Sequence, residues 1–403
     1  MNLGFVGLGK LGLPLACCLA KHNKIYAVDK NEYVLDVLNK GKLPFFEPGL
    51  EELYNEVKIN FQNFASSIKE TIRKTEATII LVNTQLGDNG YSDVLVENVI
   101  EDISIHLKEI DQYHTIILSS TVMPGSIKRL IKTVEKISGK TYGKNFGFVY
   151  VPDFVRLGNV IYDFKNPEYF LVGCNYEYDF EVVSSIWKGM HENNCPHYTL
   201  TLEETEIAKI TSNAYLVNKI SFANHLGMLC DGLENVNVHN ITKVIGIDKR
   251  ISPYFFGSGA PYGGTCFPRD TTAFIKFSEQ QKNEAGNLIF AEKVNKNLQE
   301  WIFSKVMNYQ RVGVLGYSFK PDTPVVVSSP SVKLVNNLIA SGICTNVFDY
   351  LESSLVEIDN KANTFNNVQE CIDNSDIVVI MHPDKRFKDF TFKNVLDIWG
   401  ILK

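Results

Sequence analysis

The run Gly263-Gly264-Thr265-Cys266-Phe267-Pro268-Arg269-Asp270 sets a cysteine between paired glycines and a proline–arginine–aspartate segment. A thiol in that setting can serve as a covalent nucleophile. The glycines let a substrate approach and free backbone amides, Arg269 could favour the thiolate or hold a phosphate, and Asp270 could orient a water or a lysine. Most cysteines are inert packing, so the flanking residues are what single out Cys266. A second constellation lies at the other end of the chain. Gly7-Leu8-Gly9-Lys10-Leu11-Gly12 follows a strand-like segment and opens a helical one, and Asp29 closes the next strand-like segment. That spacing, with an acidic residue about 20 positions on, is the dinucleotide fingerprint. Gly7 permits the tight turn, Gly9 lets the backbone approach a pyrophosphate, and Gly12 allows close helix–strand packing. Asp29 would accept from ribose hydroxyls and repel a 2′-phosphate, so NAD is expected, held by the loop from Gly7 through Lys10 and Leu11 to Gly12. Thr84 and Thr121 each follow a further strand, at the ends where open sheets bind ligands. Taken alone, either is equally a helix cap.

Positioning these residues requires alternating strands and helices. Residues 3–6, 24–28, 78–82, 115–119, 146–150 and 169–172 read as strands, and 14–22 and 92–107 as helices. From 202 to 233 the apolar spacing predicts one long helix or a broken pair, long enough to link two domains and form a dimer seam. A loop rich in Gly, Pro and aromatics spans 252–268. Strands at 311–315, 345–348 and 377–381 and a helix at 331–340 restore the alternation. The two ends echo each other: Phe5-Val6-Gly7 resembles Val314-Leu315-Gly316, with Asp29 and Asp349 closing the strands that follow. The expected class is α/β, with two Rossmann-like doubly wound domains joined by a long central helix.

Bulk properties exclude several functions. A net charge of −6, with 40 basic residues in no long cluster, argues against a nucleic-acid surface. No apolar run reaches the roughly 18 residues that span a bilayer, and the start lacks the pattern of a signal peptide, so a cytoplasmic protein is expected. The eight cysteines include no Cys-x-x-Cys pair; they read as mostly buried small hydrophobes, with no disulfide and no metal site.

Several motifs in order carry a resemblance over nearly the whole chain. They are the Gly7 loop, Phe46-Glu47-Pro48-Gly49-Leu50, Ser120-Thr121-Val122, Pro152-Asp153-Phe154-Val155-Arg156, Lys209-Ile210-Thr211-Ser212-Asn213-Ala214, Gly246-Ile247-Asp248-Lys249-Arg250-Ile251, the Cys266 segment and Phe319-Lys320-Pro321-Asp322-Thr323. The chain resembles the UDP-glucose 6-dehydrogenase family of nucleotide-sugar dehydrogenases. The resemblance implies three domains: an NAD-binding Rossmann-like domain (1–200), a central helical dimerisation domain carrying the catalytic loop (201–298), and a C-terminal Rossmann-like UDP-sugar-binding domain (299–403). It also implies a four-electron oxidation with two NAD molecules used in turn, through a thiohemiacetal and a thioester on Cys266. Lys209 and Asn213, four residues apart on one helix face, would stabilise oxyanion character at C6 and hold the sugar. Asp270, Asp153 and Thr121 would serve thioester hydrolysis, and Arg269 would contact the cofactor. Asp153, Phe154, Val155, Arg156, Arg250, Phe255, Gly259, Gly263 and Lys320 would bind the substrate, with Arg250 reaching a neighbouring subunit of a homodimer or higher homo-oligomer.

Three positions depart from the family pattern. Asp153 stands where Glu is usual, shortening a base by one methylene; misplacing a base by about 1 Å can cost on the order of 100-fold. Val327 stands where an arginine helps hold the pyrophosphate, implying weaker NAD binding, and Leu157 stands at a commonly acidic position. The Phe154-Val155-Arg156 context points to UDP-glucose as substrate. UDP-N-acetylhexosamine and GDP-mannose are the alternatives with the same chemistry. A two-electron hydroxyacid dehydrogenase would need no Cys266, and a degenerate sugar-nucleotide-binding protein would not retain Lys209, Asn213, Cys266 and Asp270.

Overall fold

A computed structural model describes residues 1–88, 90–356 and 358–402. The chain divides into two compact units, Met1–Lys209 and Ile210–Lys403, whose last residue lies outside the described residues.

The first unit is built on one sheet. Its strands are β1 (Asn2–Val6), β2 (Lys24–Val28), β3 (Phe61–Ala65), β4 (Ala77–Ile80), β7 (His114–Leu118), β8 (Phe146–Tyr150), β9 (Phe170–Gly173) and β10 (His197–Leu200); β5 (Gln85–Gly87) and β6 (Gly90–Ser92) form a separate hairpin. The order is β10-β9-β8-β7-β4-β1-β2-β3. From β3 through β8 all pairs are parallel; β9 runs antiparallel to β8, and β10 parallel to β9. The order therefore reverses between β1 and β4, which opens a crevice beyond their C-terminal ends. Helices α1 (Gly12–Ala20), α2 (Glu32–Asn39), α3 (Leu50–Val57), α4 (Lys69–Lys74), α5 (Val94–Leu107), α6 (Ser126–Ser138), α7 (Val160–Lys165) and α8 (Glu177–Trp187) cover both faces. Alternation along the strands divides the core in two. Leu3, Phe5, Ile79 and Ile117 pack with α1, while Val6, Ile80, Ile116 and Leu118 pack with α5 and α6.

Helix α9 (Leu202–Cys230) is one unbroken helix of 29 residues, and the boundary between the units falls within it. The second unit continues with α10 (Val238–Ile245), α11 (Phe267–Gln280) and α12 (Gly286–Val306). It then forms a fully parallel sheet from β11 (Arg311–Leu315), β12 (Cys344–Phe348), β13 (Asn363–Thr364), β14 (Ile377–Ile380) and β15 (Val395–Asp397), ordered β13-β12-β11-β14-β15. Helices α13 (Pro330–Ala340) and α14 (Val368–Asp373) complete its crossovers. The α/β class with a long central helix is as expected. No helix among the described residues is long and apolar enough to cross a membrane.

The differences from expectation have physical causes. The strand expected at 78–82 ends at Ile80, because the hydroxyl of Ser120 accepts from the Val82 amide and donates to its carbonyl, taking that residue out of the ladder. Strands β3, β10, β13 and β15 were not expected; each lies at or next to a sheet edge, where polar residues are tolerated and the apolar signal is weak. Only four of the eight cysteines are buried; Cys266 and Cys344 are exposed.

Candidate active site

The cofactor loop sits at the switch point of the first sheet. Gly7 has φ +100, and a Cβ there would lie 2.3 Å from the Leu81 carbonyl oxygen; a Cβ on Gly12 would lie 2.0 Å from the Gly7 carbonyl oxygen. Both glycines are demanded by the protein's own packing. Gly9 is different, because a Cβ there would meet nothing within 4 Å. No side chain caps the N-terminus of α1, whose Ncap is Leu11; the Leu13 amide is given to the Gly9 carbonyl at 3.0 Å and Pro14 has none, so the helix offers an anion its dipole and the uncapped turn before Leu13. Lys10 is exposed, while Leu11 packs against the core. Asp29 accepts from the Leu8 amide at 2.6 Å and from the Asn31 amide at 2.8 Å, fixing the loop against the end of β2. Thr84 is buried after β4, and Thr121 lies just beyond β7, next to the Ser120 bridge. These residues fit an NAD pyrophosphate on backbone amides with a carboxylate for the ribose. Gly9→Ala is expected to raise the Kd for NAD about tenfold with an unchanged melting temperature. Gly12→Ala is expected to cost roughly 1–3 kcal/mol of stability through overpacking. Calorimetric titration and thermal melts of both variants check the contrast.

The loop after β8 carries Asp153. Its carboxyl is buried, Oδ2 has no hydrogen-bond partner among the described residues, and burial pushes its pKa up to about 7 against the lowering charge of Lys209. Lys209, itself buried, donates to the Asp153 backbone carbonyl, and its ammonium lies 4.7 Å from the centroid of the Phe154 ring. Phe154 packs against Tyr169. Val155 and Leu157 pack against the core, so Val155 presents backbone rather than side chain to any ligand. Arg156 is bound through Nε and a terminal nitrogen to Asp163, which also accepts from the Arg156 amide. Two carboxylates the sequence reading did not single out shape this region. Glu47 accepts from the amides of Gly158 and Val160 at the start of α7, and Glu206, on α9, accepts from those of Gly125 and Ile127 at the start of α6. Burial pushes Glu206 up to about 7 despite those two donors. Glu47 belongs to the quoted Phe46–Leu50 motif, which was its signal; Glu206 carries none, because a helix glutamate reads as a surface charge.

In the second unit, Cys266 is the Ncap of α11 and is exposed, with Thr265 Oγ1 3.5 Å from its sulfur. A helix N-terminus favours negative charge at that point. One turn on, buried Asp270 accepts from Asn213 Nδ2 at 2.6 Å and lies 3.5 Å from Arg269 Nε. The structure thus groups Cys266, Arg269, Asp270 and Asn213. The paired glycines serve packing: a Cβ on Gly263 would meet the Ser328 carbonyl oxygen at 2.2 Å, and one on Gly264, at φ +79, would meet the Phe319 ring at 2.7 Å. Gly259 lies against Trp399 and gives its amide to Asn224. Phe255, at φ +59, packs edge-on against Phe267 beside the cysteine, and the Lys320 ammonium lies 5.7 Å from the Phe319 ring. Arg250 is paired with Asp248, and its side chain is 88% exposed on this single chain. Val327 is also exposed.

Three domains of the UDP-glucose/GDP-mannose dehydrogenase family match in order: the NAD binding domain over residues 1–191, the central domain over 203–297 and the UDP binding domain over 313–402. The chain belongs to this family. It is similar to the putative UDP-glucose 6-dehydrogenase YtcA of Bacillus subtilis, at 30% identity over 99% of this chain and 93% of that one. It is also 28% identical to a GDP-mannose 6-dehydrogenase of Pseudomonas putida, covering 100% of this chain and 97% of that one. A UDP-glucose dehydrogenase structure from Pyrobaculum islandicum superposes with a TM-score of 0.91 at 27% identity, over 99% and 94% of the two chains. As a member of the UDP-glucose/GDP-mannose dehydrogenase family, this protein is an NAD-dependent nucleotide-sugar dehydrogenase.

Proposed function

We propose that the chain oxidises the C6 alcohol of UDP-glucose to the carboxylate of UDP-glucuronate, removing four electrons through a covalent adduct on Cys266. The observation that carries this reading is the exposed Cys266 thiol at the start of α11, one turn from an Asp270 carboxylate held by Asn213. NAD bound at the Gly7 loop supplies the hydride acceptor, and each sugar consumes two molecules of it in turn.

The chain's own groups do the rest. Loss of a hydride and the hydroxyl proton turns C6 into an aldehyde. The Cys266 sulfur adds to that carbon and its proton passes to the oxygen, giving a thiohemiacetal. Loss of a second hydride and the new hydroxyl proton leaves a thioester. Water then attacks, the C–S bond breaks, and the sulfur regains a proton as the carboxylate departs. Lys209 and Asn213 stabilise the negative charge that develops on the C6 oxygen, Asp153 takes a proton from the attacking water, and Thr121 holds that water. Asp270 keeps Asn213 aimed and assists proton transfer. Arg269 contacts the cofactor; Phe154, the backbone of Val155, Arg156, Phe255, Gly259, Gly263 and Lys320 contact the sugar nucleotide. Arg250, unburied on a single chain, completes the site of a second subunit in a homodimer. The domains are those read from the sequence, 1–200, 201–298 and 299–403.

UDP-glucose is favoured by the Phe154-Val155-Arg156 context, and the similarity to a GDP-mannose 6-dehydrogenase makes GDP-mannose the second reading. A panel of UDP-glucose, GDP-mannose and UDP-N-acetylhexosamines, followed by NADH absorbance, is expected to show turnover on UDP-glucose with two NADH per sugar. Turnover on GDP-mannose alone moves the substrate assignment. One NADH per sugar with a stable carbonyl product removes the covalent route.

A further inference from the structure

Outside the dehydrogenase machinery, the segment that follows α8 and the first residue of β10 bring together His191, Cys195 and His197, spaced His-x-x-x-Cys-x-His. One ligand atom from each lies within 4.8 Å of the others. The Cys195 sulfur is 3.5 Å from His191 Nδ1. A tetrahedral zinc ion, with Zn–S of about 2.3 Å and Zn–N of about 2.0–2.1 Å, requires a sulfur–nitrogen edge of about 3.6 Å. One edge of such a site therefore already has its final length. Closing the others needs side-chain rotation of at most roughly 1.5 Å. His197 is exposed and free to supply it, while His191 and Cys195 are half-buried.

The backbone beneath these side chains is tied down. The Glu192 amide donates to the Lys165 carbonyl at 2.7 Å, Asn193 Nδ2 to the Pro167 carbonyl at 2.8 Å, and the Phe170 amide to the Pro196 carbonyl at 2.9 Å. The Phe170 ring supports both imidazoles edge-on, at 4.9 Å from His191 and 5.1 Å from His197. The two imidazoles stand 5.6 Å apart at 87° to each other, an arrangement in which both can turn a nitrogen toward one point. Two imidazoles and one thiolate form a donor set that suits zinc and excludes magnesium and calcium, which take oxygen ligands.

We propose that His191, Cys195 and His197 bind one divalent cation of the zinc class, with water in the fourth position, and that this ion clamps the edge strand β10 to the exit of α8. Strand β10 runs through Thr201 straight into α9, so the clamp holds the root of the helix that carries Lys209. The expectation that no cysteine is a metal ligand rested on the absence of a Cys-x-x-Cys pair; a mixed His/Cys set lies outside that pattern.

The test uses full-length protein stripped with a chelator, with cobalt(II) and zinc(II) as the probes. Cobalt is expected to bind once per chain and to give a sulfur-to-metal charge-transfer band. Zinc is expected to raise the melting temperature by roughly 5 °C. Cys195→Ser abolishes the band, His197→Ala weakens cobalt binding at least about tenfold, and both keep the NAD affinity of the parent, which reports an intact first unit. Cys266→Ser and Cys344→Ser, which remove the two exposed thiols, retain the band. A band that survives Cys195→Ser, or one that vanishes with Cys266→Ser or Cys344→Ser, overturns the assignment. So does stripped parent protein that binds no cobalt, in which case the 3.5 Å contact is only a thiol–imidazole hydrogen bond.

Discussion

Cys266→Ser is expected to lower NADH production from the nucleotide sugar by at least about 1,000-fold while leaving the melting temperature and NAD affinity unchanged. The side chain is exposed and its contact is a 3.5 Å approach to Thr265 Oγ1, so a serine fits the same space with no packing loss. What is lost is nucleophilicity. Sulfur is intrinsically the stronger nucleophile, whereas a serine hydroxyl needs a strong adjacent base. The carboxylate one helical turn on, Asp270, is already committed to Asn213 and Arg269. Without capture on sulfur the aldehyde cannot become the second hydride donor in its thiohemiacetal form, so the ratio of NADH to sugar should fall from two toward one. Steady-state rates and the NADH count on one protein batch check both halves. A serine variant that still yields two NADH per sugar at the parent rate would rule out a covalent role.

The second large effect concerns pH. Asp153 must be ionised to take a proton from water, and burial holds its pKa at about 7. The release step should therefore slow roughly tenfold between pH 8 and pH 6. Stability runs the other way. A carboxyl whose folded pKa is raised keeps its proton in the native state, so stability falls as pH rises from about 3.8 to about 7 and stays low above that. The full rise corresponds to about 4 kcal/mol. Asp153→Asn removes the penalty, so the variant should be more stable than the parent at pH 8 while releasing product about 100- to 10,000-fold more slowly. Stopped-flow measurement of thioester decay, with melts at pH 5 and pH 8, separates these signs. A damaged fold would lower both quantities together. A parent release rate that is flat from pH 6 to 8 would exclude Asp153 as the base.

What could be read from the residues divides along physical lines. Buried parallel strands such as β8 and β11 announce themselves as short apolar runs, and both have the expected bounds. Edge strands do not: β10 reads His-Tyr-Thr-Leu, and its place is fixed by pairing with β9 rather than by its own composition. Glycine roles were only partly legible. Beside the substrate approach expected of Gly263 stands a second demand, a close approach by Ser328 of the chain itself, 65 residues away and invisible to local spacing. Contacts of that kind also hid Glu206, whose acceptors' partners at Gly125 and Ile127 lie some 80 positions earlier. The Cys266 segment was legible because its neighbours in sequence are also its neighbours in space. Asp270, by contrast, is expected from its sequence neighbours to orient a water or a lysine, and its contact with Asn213, 57 positions earlier, is one no local spacing announces.

The echo between the two ends of the chain is exact enough in its hydrogen bonds to matter for experiments. Gly7 donates to the Val28 carbonyl as Gly316 does to that of Phe348, and Asp29 gathers the Leu8 and Asn31 amides as Asp349 gathers those of Tyr317 and Leu351. Yet Pro321 and not glycine stands five residues after Gly316, so the second copy keeps the turn without the fingerprint that follows it. In both places the aspartate is a mould for the turn. Two impressions of one mould stand in this chain, and only the first carries the Gly7–Gly12 fingerprint. Removing Asp29 is expected to loosen the turn along with the ribose contact proposed for it, and removing Asp349 is the built-in standard for the loss of the turn alone.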